Sequence, residues 1–385
     1  MKDLDNRETP ELLQALEIAK GDLRRNYDEL GIRAGPKNHR EYWGRDGFWA
    51  TLGSCSLGEP QDFDAVRRNL ELFIRFQNNN GAIPLRIEDR NHGLFVTTGI
   101  NLKHPPSSKF QSSQILANKA VDPTPLFIIA ATHYANSLQD LDWVSKNVES
   151  LQKSASWILS KKNSLGLIEE GHIAGWADMT LRNGAVTYTN VLAWKALKDL
   201  GIDSQAQDLR ENINQRLWSE NQGHFVDHID RYGRVNQRFY SDANVLAAAF
   251  EMATPEQSRK IYEFIDSHNL NRIPVSTYYQ SSPGQGKYED VYTRALFPYY
   301  NPKNIFGWWG PREVIGRLKI GDIDGATKDL NKLSSIIVRN GSTFEVVNDQ
   351  GDPVDYRFYK SERSPAWAAG MFIYAHHELT STTKF

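Results

Sequence analysis

The chain has 385 residues, with 40% hydrophobic and 24% charged residues, the balance of a folded globular protein rather than a disordered one. A formal net charge of −2 disfavours a nucleic-acid partner, which calls for a clear basic excess. The single cysteine, Cys55, excludes a disulfide within the chain.

The N-terminus, MKDLDNRETPELL, is charged and carries no apolar stretch of the kind that opens a secretory leader. No apolar run approaches the ~18 residues of a membrane span. Together with one cysteine, these features lead to the expectation of a cytoplasmic protein with no membrane partner. Aromatic residues make up 11%, including ten tryptophans, and aromatic faces serve either as core or as platforms for sugar rings.

In chain order, apolar residues recur at three-and-four spacing over 10–29, and helical patterns follow near 46–57, 62–79, 122–136, 142–162, 187–201, 203–219, 239–251, 255–268, 308–320, 322–339 and 364–379. These about twelve segments are of two kinds. Stretches such as 203–219 and 322–339 have a wide polar face. Stretches such as 122–136, 241–250 and 364–375 are apolar nearly all round and rich in Ala, hence buried on every side. Strict alternation of the two kinds predicts an all-α fold, an (α/α)6 toroid whose apolar helices form the inner ring, in a single domain over 1–385. Short β-prone stretches at 166–174 and 343–359, the latter with a turn at Asp349–Gly351, predict hairpins on one rim. Two long connections, about 81–121 and 271–307, predict walls over the mouth.

In such a toroid the residues just before the inner helices gather at the mouth. They are Trp43, Arg45, Asp46 and Trp49; Asp122; Trp176, Asp178 and Arg182; Tyr240 and Asp242; Trp308, Trp309 and Glu313; and Glu345, ahead of Trp367. An Asp at a helix start also serves as an N-cap, so Asp46, Asp122 and Asp242 have a purely structural reading as well. Carboxylates interleaved with tryptophans have the composition of a carbohydrate pocket, in which indoles stack on sugar C–H groups while Asp and Arg take hydroxyls. Glycoside hydrolysis needs one protonated and one ionised carboxyl group. Asp178, between Trp176 and Met179, suits the first, and Glu345, on the expected rim hairpin, the second; spacing alone assigns neither.

The segment WGRD at 43–46, followed by an apolar helix, resembles a segment of the glucosidase domain of glycogen-debranching enzymes, and VDPTPLFIIAA at 121–131 resembles the segment that follows there. GWADMTLRNGAVTYTNVLAWKAL at 175–197 is similar to the acid-bearing stretch of those enzymes and of alkaline/neutral invertases. GSTFEVVNDQGDPV at 341–354, with SPAWAAGMFIYA at 364–375, resembles the ending of processing α-glucosidases and their trehalase relatives. All are inverting (α/α)6 glycosidases, and the order of segments is kept over about 43–375. The resemblance implies Asp178 as general acid and Glu345 as general base. It implies that Arg45 and Asp46 hold the sugar at the cleaved end, with Arg182 and Asn190 matching the Arg and Asn after the acid. The sequence departs from the pattern at GRDGFWA and in lacking tyrosines beside Glu345.

The expected activity is therefore an inverting, exo-acting α-glucosidase on an oligosaccharide or an α-1,6-linked branch. A β-fructofuranosidase acting on sucrose is the alternative within that reaction class. A sugar epimerase or lyase, drawing on His92, His104 or His133, and a non-catalytic sugar-binding toroid are the alternatives outside it. No cofactor and no metal site is expected, because no Cys/His cluster has ligand spacing.

Overall fold

The computed structural model describes residues 9–91, 98–100, 102–111, 118–177, 180, 182–279, 304–357 and 359–382. Twelve helices are found among them: α1 (Pro10–Arg24), α2 (Gly44–Leu57), α3 (Pro60–Arg75), α4 (Pro123–Leu138), α5 (Leu141–Leu159), α6 (Thr187–Asp199), α7 (Asp203–Leu217), α8 (Ser241–Ala249), α9 (Pro255–Ser267), α10 (Gly310–Lys319), α11 (Ile323–Asn340) and α12 (Ala366–Thr382). No described helix is long and apolar enough to cross a membrane.

The two kinds of helix expected from the sequence are both present. Every residue of α8 is buried, as are Gly310–Leu318 of α10, whereas α11 buries only one stripe, Ala326, Asp329, Leu330, Leu333, Ser334 and Ile337. The amphipathic helices α1, α5, α9 and α11 start on side-chain caps. Thr254 and Gln257 form a full capping box at α9, and Asp322 accepts from the Gly325 N–H at α11. The N-caps of α2, α4, α6, α8 and α10 make no side-chain cap bond. The first N–H groups of α2, α6 and α8 bond to carbonyls from other segments instead: Gly44 N to Leu85 O, Thr187 N to Asp227 O and Ser241 N to Thr277 O.

Contacts between the buried helices run in chain order: α2 on α4, α4 on α6, α6 on α8, α8 on α10 and α10 on α12, with α12 packed in turn on α2. That last seam is the tightest. A Cβ on Gly53 would stand 2.0 Å from the Gly370 carbonyl oxygen, and one on Gly370 would stand 2.6 Å from the Ala50 Cα, so the α2 and α12 backbones touch. The amphipathic α1 lies against α11 and α12. Its buried Asp22 accepts from Ser342 Oγ, from Thr343 N and Oγ1, and from Ser364 Oγ.

Short strands decorate the ends where the buried helices start. Tyr42–Trp43, ahead of α2, pairs with Arg86–Arg90, which pairs with Lys103–Lys109, so the described part of the 81–121 connection carries two strands of a small sheet. Of the 271–307 connection, 280–303 lies outside the described residues. The 343–359 segment folds back on itself as expected, with Asn348 N bonded to Asp352 O, Val354 N to Val346 O and a bridge between Val347 and Pro353. Val346–Val347 also pairs with Ile305–Phe306. The segment is thus stitched to the entrance of α10, and Gly307 is required there because a Cβ would meet the Phe344 carbonyl at 2.2 Å.

Candidate active site

The first buried helix presents Arg45 and Asp46 from its first turn. Arg45 is buried and clamps Asp122 bidentately, with Nε to Oδ2 at 2.6 Å and Nη2 to Oδ1 at 3.0 Å. Nη2 also donates to the Gly175 carbonyl at 2.7 Å. Asp122 stands at the N-cap position of α4 but makes no cap bond, so its carboxylate serves Arg45 rather than the helix. One ion pair thereby joins the starts of α2 and α4 to the chain just before Trp176.

From there the network continues. Trp176 Nε1 donates to Asp242 Oδ2 at 2.6 Å, and Arg182 Nη1 reaches the same oxygen at 2.6 Å. Arg182 Nη2 also lies 2.8 Å from Asp227 Oδ1, and its guanidinium covers the Tyr240 ring at 3.8 Å. Asp227 Oδ2 is held in turn by His228 Nδ1 at 2.8 Å. The bracket around Asp178 is thus fixed at Trp176 and at Arg182. Thr180 donates through both N and Oγ1 to the Ala177 carbonyl. Asp178 itself lies outside the described residues.

The tryptophans gather at the same end. Trp308 stacks on Trp309 at 3.8 Å and on Trp367 at 4.8 Å, while Trp176 meets Trp309 edge-on at 4.8 Å and Trp308 at 5.5 Å. Trp49 completes the group, 6.0 Å from Trp308. All five are buried against one another. Trp43 stands apart, half-buried beside His39 and beneath the Arg86 guanidinium.

A second group of carboxylates flanks α2. Asp46 is half-buried, and desolvation pushes its pKa up to about 7; Glu345 adds to the rise and His39 opposes it. Glu345 is held by its backbone, with its N–H bonded to the Glu362 carbonyl and its carbonyl accepting from Gly307 N. Its Oε2 accepts from Tyr359 Oη at 2.9 Å and lies 3.7 Å from His39 Nε2. Burial works against a charge on His39, but Glu345, Glu362, Asp46 and Glu41 together raise its pKa. Glu362 receives the backbone N–H groups of Lys37 and Asn38, which shapes the loop carrying His39.

Two expected residues are placed differently. Asn190 is fully buried. Its amide donates to the carbonyls of Ile168 and Val186 and accepts from Ile168 N, so it ties the 166–174 segment to α6 instead of facing the mouth. Glu313 pairs with Arg317 on its own helix, close to Asp329 of α11. Of the histidines considered, His133 packs on Tyr374 and is driven down to about 4 by burial, His104 is exposed, and His92 lies outside the described residues. His39, Tyr359, Asp227 and Glu170 were not singled out from the sequence. A His four residues before the WGRD run was the one local signal available, and the others depend on contacts across distant segments. Glu170 is buried behind Gly175, bonded to Thr189, with its pKa raised to about 7 by desolvation.

No protein-family model matches the chain, and no curated protein matches it. Solved structures do. A GH63 mannosylglycerate hydrolase from Thermus thermophilus, in complex with Tris, superposes with a TM-score of 0.72 at 11% identity, covering 94% of this chain and 99% of that one. The chain has the fold of a glycoside hydrolase. A glycosidase variant in complex with glucose gives a TM-score of 0.69 at 13% identity, covering 97% of this chain and 98% of that one. A rhamnosidase from Klebsiella oxytoca with rhamnose bound gives 0.65 at 15% identity, covering 95% of this chain. The chain spans 63% of that rhamnosidase.

Proposed function

We propose that the chain is an inverting, exo-acting glycoside hydrolase, with Asp178 as general acid and Glu345 as general base. Its substrate is an α-glucoside, an oligosaccharide or an α-1,6-linked branch. In this reading the six buried helices close an (α/α)6 toroid in a single domain, supported by their cyclic order of contact and by the α2–α12 seam. The starts of these helices, the buried Arg45 and Arg182 clamps and the tryptophan group then share one mouth.

The observation that carries the proposal is the setting of Glu345. It is a half-buried carboxylate with a tyrosine hydroxyl on one oxygen, beside a second acid, Asp46, that keeps its proton to about pH 7. A carboxylate held by a hydroxyl donor suits activation of a water on one face of a sugar. Asp178 follows Trp176, which Asp242 anchors, so the loop bearing the acid is fixed two residues upstream. Trp43, Arg45, Asp46, Asp122, Arg182 and the grouped tryptophans serve the sugar directly or by holding the residues that do. A cytoplasmic setting is supported by the one buried free cysteine, Cys55.

The test is hydrolysis of a glycoside panel, with the anomer of the released sugar followed by proton NMR. The panel includes α-1,4- and α-1,6-glucosides, sucrose, an α-mannoside and an α-rhamnoside. Release of β-glucose from α-glucosides, abolished in Asp178→Asn and in Glu345→Gln with unchanged thermal unfolding, is the expected result. Fructose released from sucrose alone would move the assignment to a β-fructofuranosidase. Retention of configuration, or a fully active Glu345→Gln variant, would overturn the mechanism.

A further inference from the structure

Arg312, in the first turn of α10, has almost no exposed surface. Its guanidinium lies over the indoles of Trp49 at 3.5 Å and Trp308 at 3.8 Å, with Trp309 at 5.2 Å. Its Nε, Nη1 and Nη2 have no hydrogen-bond partner among the described residues. A guanidinium keeps its proton in a protein, so this is a buried positive charge. Indole faces attract the cation but leave the N–H groups at its edge unsatisfied.

The neighbours have the same deficit. Tyr188 Oη and the Nε1 groups of Trp49, Trp308, Trp309 and Trp367 are buried and also without partners among the described residues. All can donate, and Tyr188 alone can also accept. The carboxylates that act on this region are already engaged, Asp122 by Arg45 and Asp242 by Arg182 and Trp176. Burial pushes the Arg312 pKa well below its ordinary value, and Tyr188 and Asp242 offset that only in part.

A buried cation whose N–H groups have no hydrogen-bond partner among the described residues, packed beside other unpaired donors, is the complement of an anion. The burial of every donor limits the ligand to a small one. We propose that Arg312, Tyr188 and the surrounding indole N–H groups bind one inorganic anion of about chloride size between the buried helices, beneath the tryptophan group. Such an anion neutralises Arg312 and fixes the indoles from behind. The proposal concerns binding and does not require the glycosidase reading.

The experiment soaks crystals of the full chain in sodium bromide and locates bromide by anomalous scattering. In parallel, thermal unfolding of wild type and Arg312→Gln is followed in sodium bromide against sodium gluconate at equal ionic strength. A bromide peak within hydrogen-bond distance of Arg312, and a bromide-dependent rise in Tm that the variant lacks, are expected. Only ordered water at Arg312, or an equal bromide effect in the variant, would overturn the proposal. So would a soak in glucuronate that places the sugar carboxylate on Arg312, because the site would then belong to a substrate. Should Arg312→Gln fail to fold, the wild-type diffraction result decides alone.

Discussion

Trp176 is tethered to Asp242: its Nε1 donates to Oδ2 at 2.6 Å, the same oxygen that receives Arg182. An indole and a guanidinium thus converge on one buried carboxylate oxygen. Trp176→Phe keeps an aromatic ring but removes the donor, and a hydrogen bond to a charged group contributes about 1.5–3 kcal/mol. The expected result is a lower Tm together with a fall in kcat at nearly constant KM, read by calorimetry and steady-state kinetics. A variant with wild-type kcat would show that the tether has no part in turnover.

The Arg45–Asp122 pair is the second fixed point. Removing one member leaves a buried charge, which costs about 3–5 kcal/mol. Arg45→Met and Asp122→Asn should each destabilise by that order. The double variant should lose much less than their sum, because neither leaves the other unpaired. Urea unfolding of the four proteins in a cycle measures the coupling, and additive losses would contradict it.

Asp46 should leave a mark on stability against pH. Its folded pKa is raised to about 7, above the ~3.9 of an unfolded aspartate. The native state therefore holds a proton that the unfolded state releases. The resulting stabilisation is complete below ~pH 4 and is lost as the pH rises through 7. Relative to Asp46→Asn, the wild-type Tm should fall between pH 4 and 7 and run parallel above that. Parallel curves throughout the range would show that Asp46 titrates normally.

Glu170 follows the same sign, with its folded pKa raised to about 7 and a buried side chain. Glu170→Gln keeps the shape and the acceptor for Thr189 but cannot ionise. It should match wild type near pH 4.5 and exceed it in Tm at pH 8, where the wild type carries a desolvated charge. A variant less stable at pH 8 would show that the ionised form is the one the site stabilises.

The helices were legible because their signal is local. Three-and-four spacing gave α11 its stripe, and the Ala-rich runs of α8 and α12 announced burial on every side. The gathering of Arg45, Asp122, Trp176 and Asp242 at one end followed from that alternation alone. What stayed hidden depends on partners far away in sequence. Nothing near Asn190 shows that its amide closes on Ile168, and nothing near Val346 shows that it pairs with Phe306 as well as with Val354. The tryptophans read as a sugar platform from composition, yet five of them pack chiefly on each other, a distinction only their relative positions reveal. Arg312 drew no notice because a lone arginine in a helix start looks solvated until its surroundings are known.

The contact between Gly53 and Gly370 constrains how the molecule is made as well as how it stands. The two residues are far apart in sequence, and backbone contact leaves no room for a side chain to mediate an early, looser association. Until α12 has left the ribosome, α2 exposes a groove lined by Gly53 and Ala50 that no earlier helix fills. Closing it brings together segments of very large sequence separation, a step that is entropically slow. A growing chain therefore waits with an apolar seam open, and α12 acts as the latch that shuts it.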